Sequence, residues 1–266
     1  MVSDFVFTKE YIEHQVFQEL KNFSKFYERL SFLTFGIVTA GVSGKVSSID
    51  SYVYSSIQAT LESIKEILLK GRINDAYTLL RKYHDSIIIN IYTILYLDEN
   101  KSFKNIIVEK IDNWVNGSEQ LPEFRVMSQY IADSKIITEM KKLIDKDSRY
   151  KQLRNRCNDH THYNFFHNIM LNDGKIYMVN RVEILNQFLE DLLNLFILHF
   201  AYLFTIRGFY MSSSDYVDSL DVGLEPEEGS QYNVAPFIQE VFDSLIKKYR
   251  PDIAKEIKNS TYMRLE

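Results

Sequence analysis

At 266 residues, with 45% hydrophobic side chains, the chain is long enough to bury a sizeable core. Four prolines and nine glycines, with no proline before Pro122, exclude a loop-built chain and favour long uninterrupted helices. A formal net charge of −5 excludes a global attraction for nucleic acid, and the single cysteine, Cys157, excludes an intramolecular disulfide framework and fits a reducing cytoplasm.

The start, Met1-Val2-Ser3-Asp4-Phe5, lacks a basic region, so no secretory leader is expected. Over residues 8–35 the side chains of Tyr11, Ile12, Val16, Leu20, Phe23, Phe26, Tyr27 and Leu30 recur at helical spacing and predict one amphipathic helix. Gly36, Gly41 and Gly44, with Ser43, Ser47 and Ser48, then predict a bend or loop. Ser43-Gly44-Lys45-Val46 lacks the ending of a phosphate-binding loop, and no strand precedes it.

Two long helices are predicted next, at about 51–69 and 74–97, with Gly71 stopping the first. A connection this short makes them an antiparallel hairpin. The second carries Arg81, His84 and Asp85, with Arg81 and Asp85 spaced for an i,i+4 ion pair or for lining a polar pocket. Residues 98–133 are mixed: a short helix near 103–115, a stop at Asn116-Gly117-Ser118 and a loop at Leu121-Pro122.

A helix follows at about 135–144, then a polar one from 149 to about 171, stopped by Asn172-Asp173-Gly174. Residues 175–179 read as a short strand or an extended link. A core helix covers about 182–210. Its apolar run, Leu192 to Ile206, contains Asn194 and His199 and is short for a bilayer, so a cytoplasmic protein without membrane contact is expected. Asp215, Asp218, Asp221, Glu225, Glu227 and Glu228 mark an acidic, turn-rich segment before a last helix at 236–249. The expected organisation is an all-α helical bundle at 46–211. An N-terminal helical extension (1–45) precedes it, and an acidic segment with a C-terminal helix (212–266) follows.

The densest polar chemistry lies between Leu153 and Asn168, LRNRCNDHTHYNFFHN. Burying such groups unpaired costs several kcal/mol each, so they face one another, solvent or a ligand. As one helix, Arg156, His160, Tyr163 and His167 share a face, and Asn155, Asp159, His162 and Phe166 form the adjacent stripe. Arginine supplies a fixed positive fork and histidine moves protons near neutral pH, a pairing suited to phosphate chemistry. His160 and His162 are two apart and point about 160° away from each other on a helix, so no metal site and no cofactor are expected. Cys157 reads as packing. Lys141, Lys142, Lys146, Arg149 and Lys151, leading into the two arginines, form a local basic run on which RNA could lie despite the net charge, or else a solvated helix face.

An arginine, a polar residue and then a histidine on one helix, behind two long antiparallel helices, resemble the HEPN superfamily of metal-independent ribonucleases of toxin–antitoxin and antiphage-defence systems. In its signature roughly four to six residues separate Arg from His, and a polar residue often follows the Arg. Arg154-Asn155 with His160 fits, with five between; Arg156 with His162 also has five, but Cys157 follows that arginine. Arg154/His160 is the favoured pair. The resemblance covers residues 50–210. It implies attack by the RNA's own 2′-OH, leaving a 2′,3′-cyclic phosphate and a 5′-OH. His160 or His162 would move the proton, Arg154 or Arg156 would stabilise the phosphate charge, and Asn155 and Asp159 would orient them. It also implies a homodimer, with an antitoxin or defence-system protein as a further partner. The alternative is a non-catalytic all-α dimerisation or adaptor protein with a polar seam at this helix.

Overall fold

The computed structural model describes residues 8–35, 48–101, 107–172, 180–213, 219, 222–225 and 234–266. Among them every regular element is helical and no strand occurs, so the chain is all-α. The expected glycine-rich loop at 36–47, the link at 175–179 and most of the acidic stretch lie outside the described residues.

In chain order the elements are α1 (Lys9–Ile12), α2 (Gln15–Phe35), α3 (Ile49–Leu69), α4 (Ile73–Asn100), α5 (Glu109–Val115), α6 (Phe124–Asp133) and α7 (Thr138–Ile144). They continue with α8 (Arg149–Thr161), α9 (Phe166–Met170), α10 (Arg181–Ile206) and a 3₁₀ turn (Gly208–Met211). The chain then forms α11 (Pro236–Val241), a π-helical stretch (Phe242–Ile246), α12 (Lys247–Tyr249) and α13 (Pro251–Ser260). It divides into two compact units: Met1–Ser31, Tyr52–Ile88 and Asp147–Phe196 form unit 1, and Phe32–Ser51, Ile89–Lys146 and Ile197–Glu266 form unit 2.

Unit 1 is built on aromatic packing. Phe23 stacks on Phe196 with ring centres 3.9 Å apart, Phe26 meets Phe196 edge-on at 5.0 Å, and the Tyr27 and Tyr83 hydroxyls are bonded at 2.7 Å. The stripe expected on the first helix is buried except for Ile12, which falls in the separate turn α1 and is exposed. The α3–α4 connection closes as expected. Gly71 adopts φ +74°, its N–H bonds Leu68 O and the Arg72 N–H reaches Ile67 O, the hydrogen-bond pattern that ends a helix on a left-handed residue. α10 is long and apolar enough to cross a membrane, yet 78% of its most apolar window is buried inside the protein, as in a core helix.

Unit 2 holds a buried polar chain: the His199 imidazole bonds Asn90, Asn90 donates to Asp50, and Tyr210 OH donates to the same carboxylate at 2.7 Å. Arg250 donates to Leu143 O, tying α13 to the end of α7. The helix α13 was not expected, since the last helix was to end near 249; Pro251 occupies the first turn of a new one, where its missing N–H costs nothing.

Candidate functional site

The polar stretch 149–171 is two helices, not one. α8 ends at Thr161, His162 caps it, and Tyr163 takes φ +52°. The Tyr163 N–H bonds His160 O at 3.4 Å and the Asn164 N–H bonds Asp159 O at 3.0 Å, the same termination as at Gly71. A tyrosine in that conformation is a steric outlier. The Asn164 side chain pins it by donating to the Asp159 carboxylate at 2.8 Å. Tyr163 and His167 therefore do not continue α8, and His167 meets Arg156 and His160 at the same cleft from the next helix.

Unit 1 anchors both pieces. The first N–H groups of α4 are met in trans: Ile73 N–H by Leu171 O at 3.2 Å, and Asp75 N–H by the Asn172 side chain, whose amide donates back to Asp75 at 2.7 Å. Arg181, fully buried, donates to Gly71 O at 2.6 Å and to Leu171 O at 3.3 Å, closing the α3–α4 turn onto the end of α9.

These contacts frame a cleft of about 500 Å³. α4 lends it Tyr77, and α8 lends Arg156 and His160. His167 and Asn168 come from α9, and Glu183, Gln187 and Glu190 from α10. His160 is 7% exposed, and its ring lies flat on Tyr77 at 4.0 Å. Its Nδ1 is 2.9 Å from Asn74 Oδ1, an acceptor, so Nδ1 carries the proton and Nε2 is the basic nitrogen. Burial, with lesser contributions from His167 and Arg156, pulls the imidazole down to about 4, so it is neutral at pH 7. Arg156 grips Asp191 side-on, Nε donating at 2.8 Å and Nη2 bonding the other carboxylate oxygen. Among the described residues nothing bonds its Nη1, and the side chain is 30% exposed.

The other expected residues fall elsewhere. Arg154 bonds Asp85, and Arg81 Nη1 donates to His162 Nε2 at 3.2 Å. Arg81 and Asp85 thus each turn to the 154–162 segment, and neither Arg154 nor His162 lines the cleft. The pair that the cleft unites, Arg156 and His160, has three residues between, fewer than either expected pair. Asn155 is exposed. Cys157 is fully buried and its thiol is pushed up to about 12 by desolvation, so it is an inert packing group. Of the basic run, Lys141 pairs with Asp145 at 2.9 Å, Lys142 with Glu139, and Arg149 with Asp147 and Asn194. Lys146 and Lys151 are exposed. Among the described residues no cluster of His, Cys, Asp or Glu has the geometry of a metal site.

Sequence reasoning missed Asp191, Asn74, Tyr77 and Arg181, which arrive from distant segments. It also missed that Tyr163, Phe165, Phe166 and Ile169, neighbours in sequence of the cleft residues His167 and Asn168, stand 46–72% exposed. No protein-family model, no curated protein and no solved structure matches this chain at a significant level.

Proposed function

We propose that the protein is a metal-independent endoribonuclease whose reaction centre is the Arg156–His160 end of the cleft. The observation that carries this reading is the state of His160: a neutral imidazole in one tautomer, locked by Asn74 and Tyr77, one turn from an arginine with an unused donor edge. His160 Nε2 takes the 2′-OH proton. The 2′-oxygen attacks the phosphorus, and the Arg156 Nη1 hydrogens stabilise the charge gathering on the phosphate oxygens. In a two-fold dimer, as the HEPN resemblance implies, the second copy's imidazole returns a proton to the departing 5′-oxygen. Toxin or antiphage-defence activity, held in check by a partner protein, is what that resemblance implies, although the three residues between Arg156 and His160 fall short of its four to six.

The test is a set of variants. His160→Ala and Arg156→Ala should each abolish cleavage of RNA in excess EDTA, by about 10²–10⁴ for loss of the proton acceptor. Arg154→Ala and His162→Ala should cleave within a few-fold of the unmodified protein. Cleavage that survives at His160→Ala places the chemistry elsewhere. Cleavage lost at both Arg154→Ala and His160→Ala, or at both Arg156→Ala and His162→Ala, restores a spacing-matched pair.

A non-catalytic interaction module is the second reading. It is favoured by the carboxylates that meet both arginines, Asp191 on Arg156 and Asp85 on Arg154, as in a satisfied polar seam. A dimer with no RNA cleavage would select it.

A further inference from the structure

We infer that the α10 side of the cleft binds one unstacked nucleobase and selects bases by their hydrogen-bond donors, with guanine preferred. The inference takes RNA as substrate class from the proposed ribonuclease reading and adds where the chain is gripped and which base is read.

Charge comes first. Asp191 already meets Arg156, so Glu183 and Glu190 of α10 face the cleft with no cation at ion-pair distance among the described residues, while the Arg156 and Arg149 charges act on Glu190 from further off. Their bonds to described residues are long amide contacts, Asn180 to Glu183 and Gln187 to Glu190, both 3.4 Å. Two such carboxylates repel a phosphate and attract an uncharged group rich in N–H donors. The Watson–Crick edge of guanine carries N1–H and an amino group side by side, matching the two oxygens of a carboxylate. Cytosine and adenine each offer an amino group alone, and uracil one ring N–H.

Ring surfaces come second. His167 lines the cleft and is stacked with Phe165, their planes 15° apart and centres 5.7 Å apart, while Phe165 remains 53% exposed. The turn presenting these rings is held by the bonds from Asn164 to Asp159, with Tyr163 kept in a left-handed conformation that glycine would adopt more readily. Single-stranded RNA is read in this way, with splayed bases stacked on aromatic rings and bonded on their edges. The volume suits it: about 500 Å³ falls within the roughly 300–1,000 Å³ of pockets that hold compact ligands.

Uncharged nucleosides test the site without the phosphate and without catalysis. Guanosine, adenosine, cytidine and uridine are titrated separately in EDTA and followed by ligand-observed NMR, with RNA cleavage assayed on the same protein. Guanosine should bind most tightly and uridine most weakly. Glu183→Gln/Glu190→Gln should erase the guanosine preference. Phe165→Ala should weaken all four by about five- to a hundredfold, the loss expected for one base–aromatic stack. All three substituted residues are surface-exposed, so far-UV circular dichroism should be unchanged. Absence of nucleoside binding overturns the inference, even if RNA is cleaved. So does equal affinity of guanosine for the unmodified and double-Gln proteins, or displacement of bound nucleoside by inorganic phosphate. Guanosine-selective binding without RNA cleavage supports the base site and retires the ribonuclease reading instead.

Discussion

Replacing Arg156 by leucine should expose an asymmetry built into the ion pair with Asp191. The Asp191 side chain is fully buried, whereas that of Arg156 is 30% exposed. Burial already pushes the Asp191 carboxyl up from its ordinary range, and the Arg156 hydrogen bonds pull it back. Arg156→Leu leaves a buried carboxylate with, among the described residues, only the Tyr77 hydroxyl at 3.4 Å. Orphaning one partner of a buried pair costs about 3–5 kcal/mol, equivalent to a fall in Tm of about 6–20 °C for a chain of this size. Asp191→Asn leaves Arg156 able to reach water and keeps an amide oxygen to accept from it, so its cost should be about 1–2 kcal/mol. Arg156→Leu/Asp191→Leu should recover much of the single-variant loss. Urea denaturation followed by far-UV circular dichroism gives the ranking. The variant's pH dependence gives a second reading. Without Arg156 the folded-state pKa of Asp191 rises further above its unfolded value, so its penalty is relieved below the unfolded pKa and is incurred as pH rises through the folded one. The Arg156→Leu deficit should therefore shrink in acid. A deficit that is pH-independent, or no larger than that of Asp191→Asn, refutes the reasoning.

Tyr163→Gly should raise stability by about 1 kcal/mol by relieving the left-handed tyrosine, seen as a higher urea midpoint at unchanged slope. His160 titrates near 4 when folded and near 6.5 when unfolded, so its contribution is complete above the unfolded value and is lost as pH falls through the folded one. It should account for about 2 kcal/mol of the stability lost between about pH 7 and pH 5, a loss that His160→Gln should remove from the pH profile. The Cys157 thiol should react with a thiol-specific reagent only at the rate of unfolding, so labelling should accelerate with urea and not with mild alkali.

The helix ends show what could be read in advance. At Gly71 and Tyr163 the same backbone motif closes a helix, yet only the glycine announces it. With no glycine or proline between Leu153 and Leu171, the periodicity runs through the break at Tyr163, although His167 still reaches the cleft of Arg156 and His160 from α9. The α3–α4 hairpin, the burial of α10 and the sharing of one face by Arg156 and His160 were legible because each depends on residues close in sequence. Asn74 and Asp191 set the tautomer of His160 and the pairing of Arg156 from 86 and 35 residues away, beyond the reach of any local pattern. For the same reason the motif, with Asn155 after the arginine, favoured Arg154, whose partner Asp85 lies 69 residues away.

The central claim is that His160 and Arg156 cleave RNA through its own 2′-OH, and the chemistry of the product ends tests it most directly. A short end-labelled single-stranded RNA containing guanosine is incubated with the purified protein in excess EDTA, and the termini of the fragments are identified by mass spectrometry. The account expects 2′,3′-cyclic phosphate and 5′-OH ends, absent when every ribose carries a 2′-O-methyl group and absent with His160→Ala. Fragments bearing 5′-phosphate, cleavage of the methylated RNA, or no cleavage by a verified dimer would contradict it.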